Sequence, residues 1–238
     1  PALCILHDFV GLMNGSMGLY NAYCDRTPVL FLGGAGPLDP DQRRFIEWNH
    51  SASTQADIIK DWVKWTDEPP TGNATLKSIV RGKTICETYP PGPVYVSIDT
   101  HIQEQPVDET LEPIDPDLPR HKAPPPMGPN EDALTEAAEM IVNAKFPVLV
   151  GGRFGVYERM REPLIELLNI SGAAGMNDRA VYCWPSDHPQ NLSGDKDALR
   201  DADVIVCMDT IDINNVMGTY AIRRRADIRE AREKAPPK

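Results

Sequence analysis

The chain has 238 residues, 41% hydrophobic and 25% charged, with a formal net charge of −11. This composition belongs to a globular protein with room for two modest domains and rules out a disordered chain. The acidic balance argues against nucleic acid and anionic membrane surfaces as partners, and no apolar run approaches the roughly 20 residues of a membrane span.

The first predicted unit is strand–turn–helix–strand. Ala2–Leu6 is a short apolar run broken by His7-Asp-Phe-Val-Gly11, and 12–23 reads as a helix with Met13, Met17, Tyr20 and Cys24 at helical spacing. Asp25-Arg-Thr-Pro28 stops it, and Val29–Leu32 is a second strand ending in Gly33-Gly34. Such a unit places His7 and Gly11 at the carboxyl end of a parallel sheet, where open α/β folds bind ligands. A loop over 33–40, a helix from the Asp41 cap to Trp48 and a helical stretch over 54–62 are expected next. Asn73 is the predicted N-cap of a helix whose inner face carries Leu76, Ile79, Val80 and the stem of Lys83. Val94–Ile98 is a strand.

About a third of residues 105–129 are proline, which reads as an extended, semi-rigid linker between domains. Asn130 caps the next helix, with Leu134, Ala137, Ala138, Ile141 and Ala144 as its apolar stripe. Strand 147–150, helix 157–170 and strand 204–208 follow, giving a second parallel α/β unit. The expected domains are 1–104, a linker over 105–129, and 130–238. Five cysteines without a Cys-x-x-Cys pair fit a reducing cytoplasm, with Cys4, Cys24 and Cys207 expected as buried free thiols. Arg223-Arg224-Arg225 reads as a salt-bridged helix end. A chain that opens on Pro1 and runs straight into a core strand reads as a piece of a longer protein.

Several motifs in colinear order resemble one family. Gly11-x-x-Asn14, Gly18, Asn21-Ala22-Tyr23, Asp25-x-x-Pro28-Val29-Leu30, Gly34, Lys64-Trp65, Pro91–Val96 and Ser186-Asp187-His188-Pro189 resemble the pyrimidine-binding and central domains of thiamine-diphosphate enzymes, in the acetolactate synthase, benzoylformate decarboxylase and pyruvate oxidase group. The fold class this implies is α/β, with two parallel-sheet three-layer domains, the first truncated at its N-terminus and the second Rossmann-like. The implied activity is decarboxylation of a 2-oxo acid, or carboligation, with thiamine diphosphate and Mg in a homodimer or tetramer assembled through the pyrimidine-binding domain.

Under that resemblance His7 faces the reactive carbon and shuttles protons; on residue chemistry alone it could equally end a strand in a hydrogen bond. Gly11 and Asn14 would meet the aminopyrimidine, and helix capping explains both as well. The activating glutamate would lie upstream of Pro1, and the diphosphate and metal site in a later domain, leaving the fragment alone inactive. Gly194-Asp195-Lys196 with Asn214-Asn215 only imitates that site, since a lysine replaces the glycine and the spacing is short. Ala35 stands where many relatives carry glutamine, which points away from acetolactate synthase itself. Gly151-Gly-Arg-Phe-Gly155 could be an FAD or ADP turn, though it lacks the full dinucleotide fingerprint. No metal site is expected in the chain; His50, His101 and His121 read as solvated, and the four tryptophans as core or interface residues. Two other readings stay open: a non-catalytic homologue acting as an assembly scaffold, and a nucleotide-binding module built on the second domain.

Overall fold

The computed structural model describes residues 1–107, 110–178, 182–195, 197–214, 216 and 218. Arg223-Arg224-Arg225, Lys196 and Asn215 lie outside the described residues. The chain divides into two units, Pro1–Met127 and Gly128–Lys238.

In the first unit, β1 (Ala2–Leu6), α1 (Asp8–Cys24), β2 (Val29–Ala35), α2 (Glu47–His50), β3 (Thr66–Asp67), α3 (Gly72–Glu87), β4 (Val94–Asp99) and α4 (Thr100–Glu104) follow in order. The four strands form a parallel sheet of order β1-β2-β4-β3. Alternation along the strands splits their side chains between two faces. Phe31 and Tyr95 pack with Leu12, Leu19 and Ile59. Leu30, Val94 and Val96 pack with Cys86 of α3 on the other face. Three layers result, as the α/β reading requires. Leu3 and Ile5, on edge strand β1, are 60% and 74% exposed.

On both long helices small residues help to set which face packs on the sheet. On α1, Leu12, Leu19 and Ala22 are buried, whereas Met13 and Met17 are 52% and 63% exposed. Glycine decides this: a Cβ on Gly15 would lie 2.9 Å from Leu6 Cδ2, and one on Gly11 3.1 Å from the Leu6 carbonyl carbon. Only the small side of the helix can approach β1 so closely. On α3 the fully buried residues are Thr75, Ser78, Gly82 and Cys86; of the expected Leu76, Ile79 and Val80, Ile79 packs partly buried against the same cluster as Cys86. A Cβ on Gly82 would sit 3.1 Å from Leu30 Cδ1.

The N-cap of α3 is Thr71, which accepts from Ala74 N at 3.2 Å. Asn73, expected in that role, instead donates to Thr110 O and accepts from Glu112 N. With the Thr84 hydroxyl donating to His121 O at 2.6 Å, it lays the proline-rich stretch along α3. The glycines of β2, expected as loop, continue the strand, Gly33 pairing with Ser97 and Gly34 with Ile98. Between β2 and β3 the expected helices reduce to α2 and three 3-10 turns, Pro40–Gln42, Gln55–Ile58 and Lys60–Trp62. Local bonds favour these short turns: Asp39 accepts from Asp41 N, and Arg43 donates to Pro37 O.

In the second unit, α5 (Glu131–Asn143), β5 (Pro147–Gly151), α6 (Arg161–Ser171), β6 (Ala174–Asn177), α7 (Ala198–Asp201) and β7 (Val204–Met208) build a parallel sheet of order β6-β5-β7. Asn130 caps α5 as expected, accepting from Ala133 N at 2.9 Å. Leu149 faces α6 and Trp184, while Val148 and Val150 face Leu199. Strand β6 has no apolar run to announce it. Its Gly175 instead makes room for Trp184, whose ring lies 3.0 Å from where a Cβ would be. Residues 153–160 form 3-10 turns, so α6 starts later than expected. All five cysteines are free; Cys86 and Cys183 are the buried ones, while Cys4, Cys24 and Cys207 are only partly covered.

Candidate functional site

The carboxyl ends of β1, β2 and β4 open into a cleft of about 810 Å³. Its walls include His7, Asp8, Arg44, Glu47, His50 and Glu104, and its floor includes Gly33 and Gly34. His7 follows β1 directly, and the chain reverses at Asp8, a non-glycine residue with φ +21°. The Asp8 carboxylate accepts from Phe9 N at 2.6 Å and from the Ser51 hydroxyl at 3.0 Å. The second bond ties the 47–51 segment to the turn that carries His7.

His50, expected as solvated, is half-buried and lines the cleft. Its ring meets that of His7 edge-on, with centroids 5.6 Å apart and planes at 82°. His101 and His121 also have partners: Gln105 for the first, Asp115 O and Arg120 for the second. Glu47 is 4% exposed and pairs with Arg44 at 2.8 Å, and Arg44 reaches Glu104 at 3.0 Å. The Arg44 guanidinium holds the Glu47 carboxyl below the usual carboxylate range, and the two carboxylates raise the arginine. This cation is therefore already engaged within the cleft wall.

Beneath the floor, Gln55 Nε2 donates to Gly34 O at 2.6 Å and to the Tyr95 hydroxyl at 2.9 Å. Burial pushes the Tyr95 hydroxyl up to about 12. Glu47 Oε2, Gln55 Oε1 and Ser97 Oγ are buried oxygens without a hydrogen-bond partner among the described residues. All three belong to the carboxyl end of this sheet or the segment folded over it.

Of the residues singled out from sequence, His7 lines the cleft and Gly11 lies directly behind it, where a Cβ would be 3.1 Å from His7 Cβ. Asn14 is on an exposed turn of α1, outside the cleft lining, and donates to Val10 O at 2.8 Å. Arg44, Glu47, His50 and Glu104 carry no motif. The one sequence signal was the aromatic-flanked run Phe45-Ile-Glu-Trp-Asn-His50, too short to place. Lys64 sits at the end of α3, donating to Ile85 O at 2.6 Å and to Thr88 O, where a cation complements the helix dipole. Among the described residues no group of three or more His, Cys, Asp or Glu side chains converges as metal ligands would.

In the second unit three backbone amides of the Gly151–Gly155 turn are engaged. Gly152 N donates to Met208 O, Arg153 N to Asp209 O and Gly155 N to Gly152 O. A Cβ on Gly152 would overlap the backbone at Asp209 and Thr210. The glycine serves that close approach, and amides already donating are not available to a phosphate. The Ser186–Pro189 motif is a turn, with His188 N donating to Pro185 O and Asn191 N to His188 O.

No family model matches the sequence, and no curated protein matches it. Solved structures do share its fold. A candidate thiamin diphosphate-dependent enzyme from Mycobacterium smegmatis superposes with a TM-score of 0.66 at 24% identity, over 87% of this chain and 40% of that one. The thiamine diphosphate-dependent 4-hydroxybenzoylformate decarboxylase of Rhodococcus jostii gives 0.65 at 19% identity, over 86% of this chain and 39% of that one. At these identities the likeness is one of fold. The chain spans about two fifths of the length of each.

Proposed function

We propose that the chain is part of a thiamine-diphosphate-dependent enzyme that decarboxylates a 2-oxo acid or joins the resulting carbanion to a second carbonyl. The observation that carries this reading is a histidine-lined cleft at the carboxyl ends of β1, β2 and β4, on a fold shared with enzymes described as using that cofactor. The spaces that side chains on Gly33 and Gly34 would fill are taken by Tyr95 and by the Asp8 backbone, which brings the His7 turn close over the sheet end that floors the cleft. Glu47 lines the cleft, and its buried Oε2, without a partner among the described residues, is an acceptor that fits a polar ligand. The described residues thus fit one end of the cofactor, with the diphosphate and Mg held elsewhere. When bound, the cofactor supplies an electron sink for the carbanion.

In this reading His7, exposed in the cleft, takes and returns a proton at its imidazole. Gly11 lets α1 lie close behind it, while Asn14, its amide donating to Val10 O outside the cleft lining, offers no contact to a pyrimidine within the cleft. The outer face of α1, with Met13, Met17 and Tyr20 partly exposed, supports assembly as a homodimer or tetramer. The activity belongs to the whole protein and not to the 238 residues alone. Five free thiols support a cytoplasmic location, and no described helix is long and apolar enough to cross a membrane.

The test is 2-oxo acid turnover by the whole protein, supplied with thiamine diphosphate and Mg, against His7→Ala. The variant should lose roughly 10²-fold or more in kcat. Absence of turnover and of cofactor binding across a panel of aliphatic and aryl 2-oxo acids would favour the assembly-scaffold reading. An FAD or ADP role for the second unit would require saturable nucleotide binding, which the engaged amides at 152, 153 and 155 do not support.

A further inference from the structure

We propose that His50 is the positioning residue of His7, fixing its imidazole in one orientation toward the cleft. The proposal rests on the reading of His7 as the proton-transfer group. Among the described residues no hydrogen bond holds the His7 ring. A free imidazole at a strand end samples several rotamers, whereas proton transfer needs its nitrogen within hydrogen-bond reach of one point.

The geometry supplies a restraint in place of a hydrogen bond. The His50 ring stands at 82° to that of His7 with centroids 5.6 Å apart, the edge-to-face arrangement that ring quadrupoles favour. His50 is itself anchored. It ends α2, whose first residue Glu47 is buried and clamped by Arg44 at 2.8 Å. The next residue, Ser51, donates to Asp8 at 3.0 Å. Two neighbouring pairs therefore join the same two segments in register, His7 with His50 through their rings and Asp8 with Ser51 through a hydrogen bond. A chance surface contact has no such second attachment, and here the attachment fixes the backbone on which each ring is carried.

The test is a ring-proton NMR comparison of the 238-residue chain with His50→Ala and His50→Phe, the His7 signals being assigned by His7→Ala. The wild type should show a nuclear Overhauser contact between the two rings. In His50→Ala the His7 ring signals should shift as the neighbouring ring current is lost, and its χ1 couplings should average. In His50→Phe, which keeps a ring there, His7 should retain one rotamer. Absence of the ring-to-ring contact in the wild type overturns the proposal whatever the variants do. So do His7 signals unchanged in a folded His50→Ala, or equal disturbance in both variants.

In the whole enzyme His50→Ala should lower kcat on the order of tenfold to a hundredfold with KM within about twofold, and His50→Phe should restore most of it. A full kcat in His50→Ala beside an impaired His7→Ala overturns the positioning role alone. A full kcat in His7→Ala overturns the parent reading instead.

Discussion

Replacing Gly33 by alanine forces a methyl group into the centre of the first unit. The new Cβ would overlap the Tyr95 hydroxyl and lie 2.7 Å from its Cζ and 2.8 Å from its Cε2. Carbon atoms pack at about 3.5–4.0 Å, so a gap of nearly an ångström must open. Tyr95 is fully buried among Leu12, Leu19, Phe31 and Ile59 and cannot swing into solvent. Overpacking of this kind costs about 1–3 kcal/mol. Loss of the 2.9 Å bond from Gln55 adds about 1 kcal/mol, giving roughly 2–4 kcal/mol in all. Tyr95→Phe alone should cost about 1 kcal/mol, since Gln55 keeps its bond to Gly34 O. In the double variant the hydroxyl is gone and the ring can shift into its place. The two changes should therefore be less than additive, by about 1–2 kcal/mol. Urea denaturation followed by circular dichroism and tryptophan fluorescence measures all four corners. Additive costs, or a Gly33→Ala chain as stable as the parent, would refute the packing argument.

Thr71→Ala removes the N-cap of α3 and should cost about 1 kcal/mol, whereas Asn73→Ala should leave the helix capped and loosen the 110–112 segment, seen as faster amide exchange there. Burial raises Cys86 to about 11 and also raises Cys183, so both should resist a thiol reagent at pH 8 in the native chain while Cys4 and Cys24 react. Because the folded Cys86 thiol sits above its ordinary value of 9.0, its contribution to stability is complete below that value and is lost as pH rises toward about 11. Cys86→Ala should flatten that alkaline limb of a pH–stability curve. Asp203 is held low by the amides of Lys145 and Phe146. Its contribution is present above the usual carboxylate range and lost in acid, so Asp203→Asn should shallow the acid limb.

The alternation of short apolar runs with helical stretches determined the α/β class by itself, because a buried parallel strand must be apolar on both faces. The Asn130 cap was equally legible, since a cap is a local bond between side chain and backbone. His7 was placed at the sheet's carboxyl end by the same local logic, as the first polar residue after a strand. What α1 and α3 turn inward was decided only in three dimensions. On α1 the close approach of Gly11 and Gly15 to Leu6 buries Leu12 and Leu19 and leaves Met13 and Met17 outside, and on α3 it is Thr75, Ser78, Gly82 and Cys86 that lie fully buried. Strand β6 escaped for a related reason, its Gly175 being chosen by the Trp184 ring and not by strand propensity. The walls of the cleft were likewise invisible in sequence. Arg44, Glu47 and His50 join His7 through a segment some 40 residues further on, tied back by the Ser51 hydroxyl on Asp8, the His50 ring on His7 and Arg44 on Glu104. Periodicity reports only what a residue's near neighbours require; contact between distant segments depends on where the folded chain returns.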